Sequence, residues 1–219
     1  LYFGLTRPKR APVLGMELSG EIESVGKNVT DFREGDNVFA FTGFRFGAHA
    51  EYISLPAISK KGSIEKKGLV AHKPESLTFG EAAAVPAGAI TVLKVFQKAN
   101  IKKGQKILIN GASGSLGTYS VQMARSFGAH VTGVCSTGNL DLVRSLGADE
   151  VIDYTKEDFI SIGEKFDFIF DAVGKTSRSK CKDILGKEGR FLTTNGLDKI
   201  DPSDLGRSGN MIEKGDIKP

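Results

Sequence analysis

The sequence predicts an α/β protein: a doubly wound parallel sheet joined to a second, mostly β domain. Three observations carry that expectation. From Gln105 onward, short apolar runs alternate with helix-length segments, the order of βαβ units. Before about residue 75 the chain shows short alternating runs, punctuated by Gly15, Gly20, Gly26, Gly35, Gly43 and Gly47, as tight turns between strands require. At the start of the alternating region, "ILINGASGSLGTYSVQMAR" (Ile107 to Arg125) sets three spaced glycines between its first strand and first helix.

In the first region "GEIESVG", "DNVFAF" and "AHAEYISL" read as strands because apolar and polar residues alternate between turn residues. "LTFGEAAAVPAGAITVLKVFQKA" opens with Thr78, a suitable helix cap. Pro86 interrupts it, since proline removes a backbone donor, and two helical pieces are expected to meet at "VPAGA". Next come the strand "QKILIN" and the helix "SLGTYSVQMARSFG", ending at Gly128. The strand "HVTGVC" leads to the helix "NLDLVRSLG", closed by Gly147, and then to the strand "EVIDY". The helix "KEDFISIG", the strand "FDFIFDAV", the helix "TSRSKCKDILG" and the strand "GRFLTT" complete the series. The handedness of parallel crossovers leaves few topologies besides a doubly wound sheet. "NGLDKIDPSDLGRSGN" is polar and turn-rich, and "MIEKGDIKP" reads as a helix end followed by something cut off. The expected division is a β-rich domain over 1–85, a dinucleotide-binding domain over 86–196 and an irregular tail over 197–219.

Composition narrows the function classes. The 219 residues are 40% hydrophobic and 26% charged, as in ordinary globular proteins. No apolar run approaches the roughly 20 residues needed to span a bilayer, so no membrane partner is expected. The net charge of +4 comes from dispersed lysines. Its one dense run, "SKKGSIEKKG", carries no aromatic base reader, so nucleic acid is not expected as a partner. Two cysteines, Cys135 and Cys181, are too few for a disulfide framework and fit a reducing compartment, by default the cytoplasm.

The glycine-rich stretch carries the chemistry. Gly111 permits a tight turn out of the strand, Gly114 lets backbone approach a pyrophosphate, and Gly117 lets the helix pack close to the sheet. The amides of Ser115, Leu116 and Gly117 then point toward negative charge at a helix N-terminus. An NAD site places an acid near the end of the second strand, about 20 residues on. Here that strand ends in Cys135, Ser136 and Thr137, with no carboxylate before Asp141. Hydroxyls accept a 2′-phosphate where an acid repels it, so NADPH is expected ahead of NADH. Ser136 and Thr137 also fit a simple cap on the following helix.

Five stretches in order, "GMELSGEIESVGKNVTDFREGDNVFAF", "EAAAVPAGAIT", "GQKILINGASGSLG", "LGADEVIDY" and "FDFIFDAVG", resemble the medium-chain dehydrogenase/reductase superfamily. More narrowly they resemble its zinc-independent quinone oxidoreductase (zeta-crystallin-like) branch. Zinc-dependent members carry Gly-His-Glu where this chain has Gly15, Met16 and Glu17, and a structural zinc needs four clustered cysteines. His49, His72 and His130 show no ligand spacing, so no metal is expected.

The resemblance implies a GroES-like substrate domain beside a Rossmann domain, and NADPH-dependent reduction of a small quinone or α,β-unsaturated carbonyl. Enoyl-thioester reduction, alcohol oxidation and cofactor binding without catalysis are the alternatives. It implies that Ser113 to Gly117 hold the pyrophosphate, and that Ser136 and Tyr154 lie by the adenosine 2′-phosphate. Thr91 would approach the nicotinamide, with Val173 and Gly174 on its ribose side. No catalytic acid is assigned. Close relatives often carry a lysine where Gly138 stands, which weakens the NADPH expectation. The family's chain begins several dozen residues earlier and continues through a sixth sheet strand that commonly pairs across a homodimer axis. Relative to that pattern the substrate domain is incomplete and the pairing strand is missing.

Overall fold

The computed structural model describes residues 13–57, 68–195, 200–201 and 203–219. The chain forms two compact units, one comprising Leu1–Ile90 with Lys199–Gly215, the other Thr91–Asp198 with Asp216–Lys218.

In the first unit, β1 (Glu17–Glu21), β2 (Asn37–Phe41) and β3 (Leu69–His72) form an antiparallel sheet in that order. Val38, Phe39 and Ala40 of β2 are all buried, as suits a central strand covered on both faces. Helix α1 (Phe79–Ala83) is started by a capping box: the Thr78 hydroxyl accepts the Glu81 amide, and the Glu81 carboxylate accepts the Thr78 amide. Two orphan donors are thereby satisfied. Helix α2 (Pro86–Ala99) follows with its proline at the first helical position, where no backbone donor is needed. The two expected helical pieces do meet at "VPAGA".

The second unit holds β4 (Lys106–Asn110), α3 (Ser115–Ser126), β5 (His130–Cys135), α4 (Leu140–Ser145), β6 (Glu150–Asp153), β7 (Phe166–Asp171) and β8 (Leu185–Leu192). All five strands are parallel in the order β6-β5-β4-β7-β8. Leu108, Val134, Ile152, Phe166 and Ile169 form one buried cluster with Cys181 and Ile184. Phe96 of α2 meets Phe127 and Phe170 edge-on, ring centres 6.5 and 5.9 Å apart, a geometry favoured by the ring quadrupole. The doubly wound sheet is therefore present, and the antiparallel sheet is separate from it.

Four local expectations are corrected. "AHAEYISL" is not a strand: it makes two backbone bonds back to the chain before β1, from Ala48 to Gly15 and from His49 to Leu14, and no ladder. "KEDFISIG" is only a 3₁₀ turn over Phe159–Ser161, capped by the Asp158 carboxylate, which accepts the Ile160 amide, and Gly163 at φ +73° then turns the chain away. "TSRSKCKDILG" is a run of turns leading straight into β8, which begins earlier than "GRFLTT" implied. The stretch 197–219, expected to be irregular, carries helix α5 (Ser203–Glu213). A Cβ added at its Gly209 would reach Phe39 and Pro74 at 3.6 and 3.7 Å, so α5 lies against the antiparallel sheet of the first unit.

Candidate nucleotide site

β4 lies between β5 and β7, so the chain leaves β4 toward one side of the sheet and returns to β7 on the other. Such a reversal, at the carboxyl ends of the strands, is the place where doubly wound sheets bind ligands. The turn from Gly111 to Gly117 stands at that point. The Gly111 and Ala112 amides both donate to the Val134 carbonyl, at 3.0 and 2.9 Å, which ties the turn to the end of β5. Gly111 has φ +84°, and a Cβ there would sit 2.7 Å from Val173 Cγ1. A Cβ on Gly117 would lie 2.0 Å from the Gly111 carbonyl oxygen. The fold demands both glycines.

Gly114 is different. Its φ is −82°, available to any residue. A Cβ there would meet only Gly111 O, at 3.5 Å, an ordinary contact. Gly114 is exposed and precedes α3, and no side chain caps that helix. The first amides of a helix have no intrahelical partner. A bare helix end beside an exposed glycine leaves a cradle that fits a pyrophosphate. Ser113 and Leu116 are half-buried, and Ser115 is exposed on the same turn.

On the β7 side, the buried Asp171 carboxylate organises the following loop. Its Oδ1 accepts from Asn110 Nδ2 at 3.0 Å and from the Val173 and Gly174 amides at 3.2 and 3.1 Å. Its Oδ2 accepts from the Thr176 amide at 3.0 Å. Val173 is thus held over Gly111 while half of its surface remains exposed. Sequence reasoning named Val173 and Gly174 but missed Asp171 and Asn110, the pair that places them. The available signal was a carboxylate closing an otherwise apolar strand.

At the β5 end the expected selector residues are already engaged. Thr137 Oγ1 donates to Asp153 Oδ2 at 2.5 Å and lies 3.0 Å from the Thr155 hydroxyl. Ser136 Oγ accepts from Asn139 Nδ2 at 3.1 Å. The Thr155 amide and hydroxyl donate to Asp153 Oδ1 at 3.0 and 2.7 Å. These donations, led by those of Thr137 and Thr155 hydroxyls, pull Asp153 down to about 2. Tyr154 is exposed, with its amide bonded to the Cys135 carbonyl. Thr91 lies half-buried in α2 and, among the described residues, makes no hydrogen bond to the turn.

In the first unit, Glu17 Oε1 accepts the Ala87 amide at 2.8 Å, at the start of α2. Burial pushes this carboxyl up, against the lowering effect of that bond. Met16 offers no zinc-binding nitrogen, and among the described residues no three His, Cys, Asp or Glu side chains cluster as metal ligands. His130 instead sits between Asp149 and Glu150, at 3.4 and 3.5 Å.

Residues 115–207 match the zinc-binding dehydrogenase family, and residues 2–63 match the alcohol dehydrogenase GroES-like domain. The chain is 39% identical to 2-methylene-furan-3-one reductase of Solanum lycopersicum, over 94% of this chain and 55% of that protein. It belongs to the medium-chain dehydrogenase/reductase superfamily, in the zinc-independent quinone oxidoreductase-like branch. Another member, the NADPH-dependent alkenal/one oxidoreductase, chloroplastic, of Arabidopsis thaliana, is 34% identical over 94% of this chain and 55% of its own. The chain thus spans about half the length of these superfamily relatives. The fold matches a quinone oxidoreductase structure from Pseudomonas syringae pv. Tomato DC3000 at a TM-score of 0.75. That match has 24% identity and covers 94% of this chain and 72% of that one. No helix among the described residues is long and apolar enough to cross a membrane.

Proposed function

We propose that this chain carries the cofactor-holding part of an NADPH-dependent reductase acting on quinones or α,β-unsaturated carbonyls. The observation that supports it most is the turn at the sheet's reversal point, where Gly114 stays open although the fold does not require a glycine. In this reading Ser113 to Gly117 hold the pyrophosphate through backbone amides. Ser136, Thr137 and Tyr154 surround the adenosine end, and Thr91, Val173 and Gly174 face the nicotinamide half. The second unit is the dinucleotide-binding domain and the first the substrate-side domain. The bound cofactor supplies hydride, while the protein orients it and excludes water. The names of the furanone and alkenal/one reductases favour an electron-poor carbon–carbon double bond as the acceptor. Two buried free thiols fit a reducing compartment, of which the cytoplasm is one.

The test is a titration of the folded chain with NADPH and with NADH, followed by nicotinamide fluorescence. Oxidation of the bound cofactor by a short enone and by a benzoquinone is then monitored. Tighter NADPH binding with enone- or quinone-dependent oxidation is expected. Oxidation of simple alcohols alone, or turnover only with an enoyl thioester, would replace this substrate class. Failure to bind either nucleotide would refute the cofactor reading.

A further inference from the structure

The adenosine ribose of a dinucleotide is read at the end of the second strand of a doubly wound sheet, here β5. The chain continues there as Ser136, Thr137 and Gly138, and a Cβ on Gly138 would meet nothing within 4 Å. The end of β6 brings one carboxylate to this place, that of Asp153, and both of its oxygens are taken. Oδ1 accepts from the Thr155 amide and hydroxyl, and Oδ2 accepts from the Thr137 hydroxyl. Lys156 Nζ lies 3.6 Å from the same Oδ2, with 68% of its side chain exposed. The ammonium therefore stands beside Thr137, held on one side by a carboxylate and facing solvent on the other. An ammonium has three donors, so the contact with Asp153 leaves donors for a second anion. Arg144, also near this strand end, is engaged with Asp141 of its own helix at 3.0 Å.

Resting on the nucleotide reading of the Gly111–Gly117 turn, we propose that Lys156, held beside the Thr137 hydroxyl by Asp153, recognises the 2′-phosphate of NADPH. Lysine serves here as a point charge, sufficient for a phosphate monoester. Asp153 has a double role. Paired, it fixes the ammonium, and unpaired, it would repel the phosphate. Removing Lys156 thus withdraws an attraction and uncovers a repulsion, and neither change touches a nucleotide that lacks the 2′-phosphate.

The probes are 2′,5′-ADP and 5′-AMP, which share the adenosine half and lack nicotinamide. Their binding to the full chain is measured by calorimetry at low salt for wild type, Lys156→Ala, Lys156→Arg and Arg144→Ala, with thermal melts confirming that each is folded. Wild type is expected to prefer 2′,5′-ADP. Lys156→Ala should weaken 2′,5′-ADP about tenfold, leave 5′-AMP within about twofold and flatten the salt dependence of 2′,5′-ADP binding. Lys156→Arg should keep the preference. The proposal is overturned if Lys156→Ala weakens both probes equally or neither, if the loss appears in Arg144→Ala instead, or if wild type prefers 5′-AMP. A folded wild type that binds neither probe removes the nucleotide reading and this proposal together. Discrimination through Lys156 in a chain that reduces no enone or quinone supports the proposal while the reductase reading alone falls.

Discussion

A methyl group at residue 117 would sit 2.0 Å from a backbone oxygen and 2.6 Å from Ala112, whereas one at residue 114 would make an ordinary 3.5 Å contact. Gly117→Ala must therefore displace backbone, and a loss of about 3 kcal/mol is expected in urea denaturation. Gly114→Ala should change stability by about 1 kcal/mol or less, and on the proposed reading, in which backbone here approaches the pyrophosphate, it should weaken NADPH about tenfold. A turn that were only a corner would show the first effect without the second. Elsewhere the same local reasoning predicts a gain. The Thr132 hydroxyl on β5 is buried and has no partner among the described residues. Thr132→Val keeps the branched shape and removes an unsatisfied polar group, so a midpoint increase worth about 1 kcal/mol is expected. An unchanged or lower midpoint would show that this hydroxyl finds a partner in solution.

Among the elements, the loop after β7 depends on one carboxylate with four donors pointing at it. Asp171→Ala leaves the buried Asn110 side chain and three part-buried loop amides without their acceptor, and about 2 kcal/mol of destabilisation is expected. Faster hydrogen exchange should appear at Val173, Gly174 and Thr176. Exchange that stays slow at these three amides would assign their order to packing instead. The same element shows what the sequence could and could not disclose. β4, β5 and β7 were legible because each carries three or more consecutive buried residues between turn signals, the mark of a parallel sheet covered on both faces. The helices expected over "KEDFISIG" and "TSRSKCKDILG" have the right composition, but the backbone there runs in turns. Gly163 at φ +73° ends the first after the single 3₁₀ turn that Asp158 caps, and Asp171 takes the Thr176 amide before the second, a local bond that competes with a helical ladder. Helix α5 was hidden for the opposite reason. Its two glycines and two serines are poor helix formers, and packing of Gly209 against Phe39 is invisible in local composition. The site followed the same rule. The glycine turn announces itself by spacing, while Asp153 and Lys156 matter only because β6 lies beside β5.

Across the whole molecule, two carboxylates give the two units opposite responses to acid. Glu17, in the first unit, is pushed above its ordinary 4.5 by burial. The folded state then binds a proton more readily than the unfolded chain. Its contribution is fully present below 4.5 and is lost as pH rises through the elevated value. Asp153, in the second unit, is pulled below its ordinary 3.8 to about 2. Its contribution is present above 3.8 and lost as pH falls through about 2. Glu17→Gln copies the protonated form and keeps an acceptor for the Ala87 amide. It should melt with wild type in weak acid and above wild type at neutral pH. Asp153→Asn should melt below wild type at neutral pH, and that gap should close toward pH 2. Thermal melts of the three proteins across this range separate the groups, because the two difference curves slope in opposite directions. Parallel curves would mean that one of the carboxylates is not in the environment described, and the sign of the common slope would tell which. A Glu17→Gln curve that falls away from wild type as pH rises would show the charged Ala87–Glu17 bond outweighing burial at the start of α2. A flat Asp153→Asn curve would remove the threonine clasp that positions Lys156.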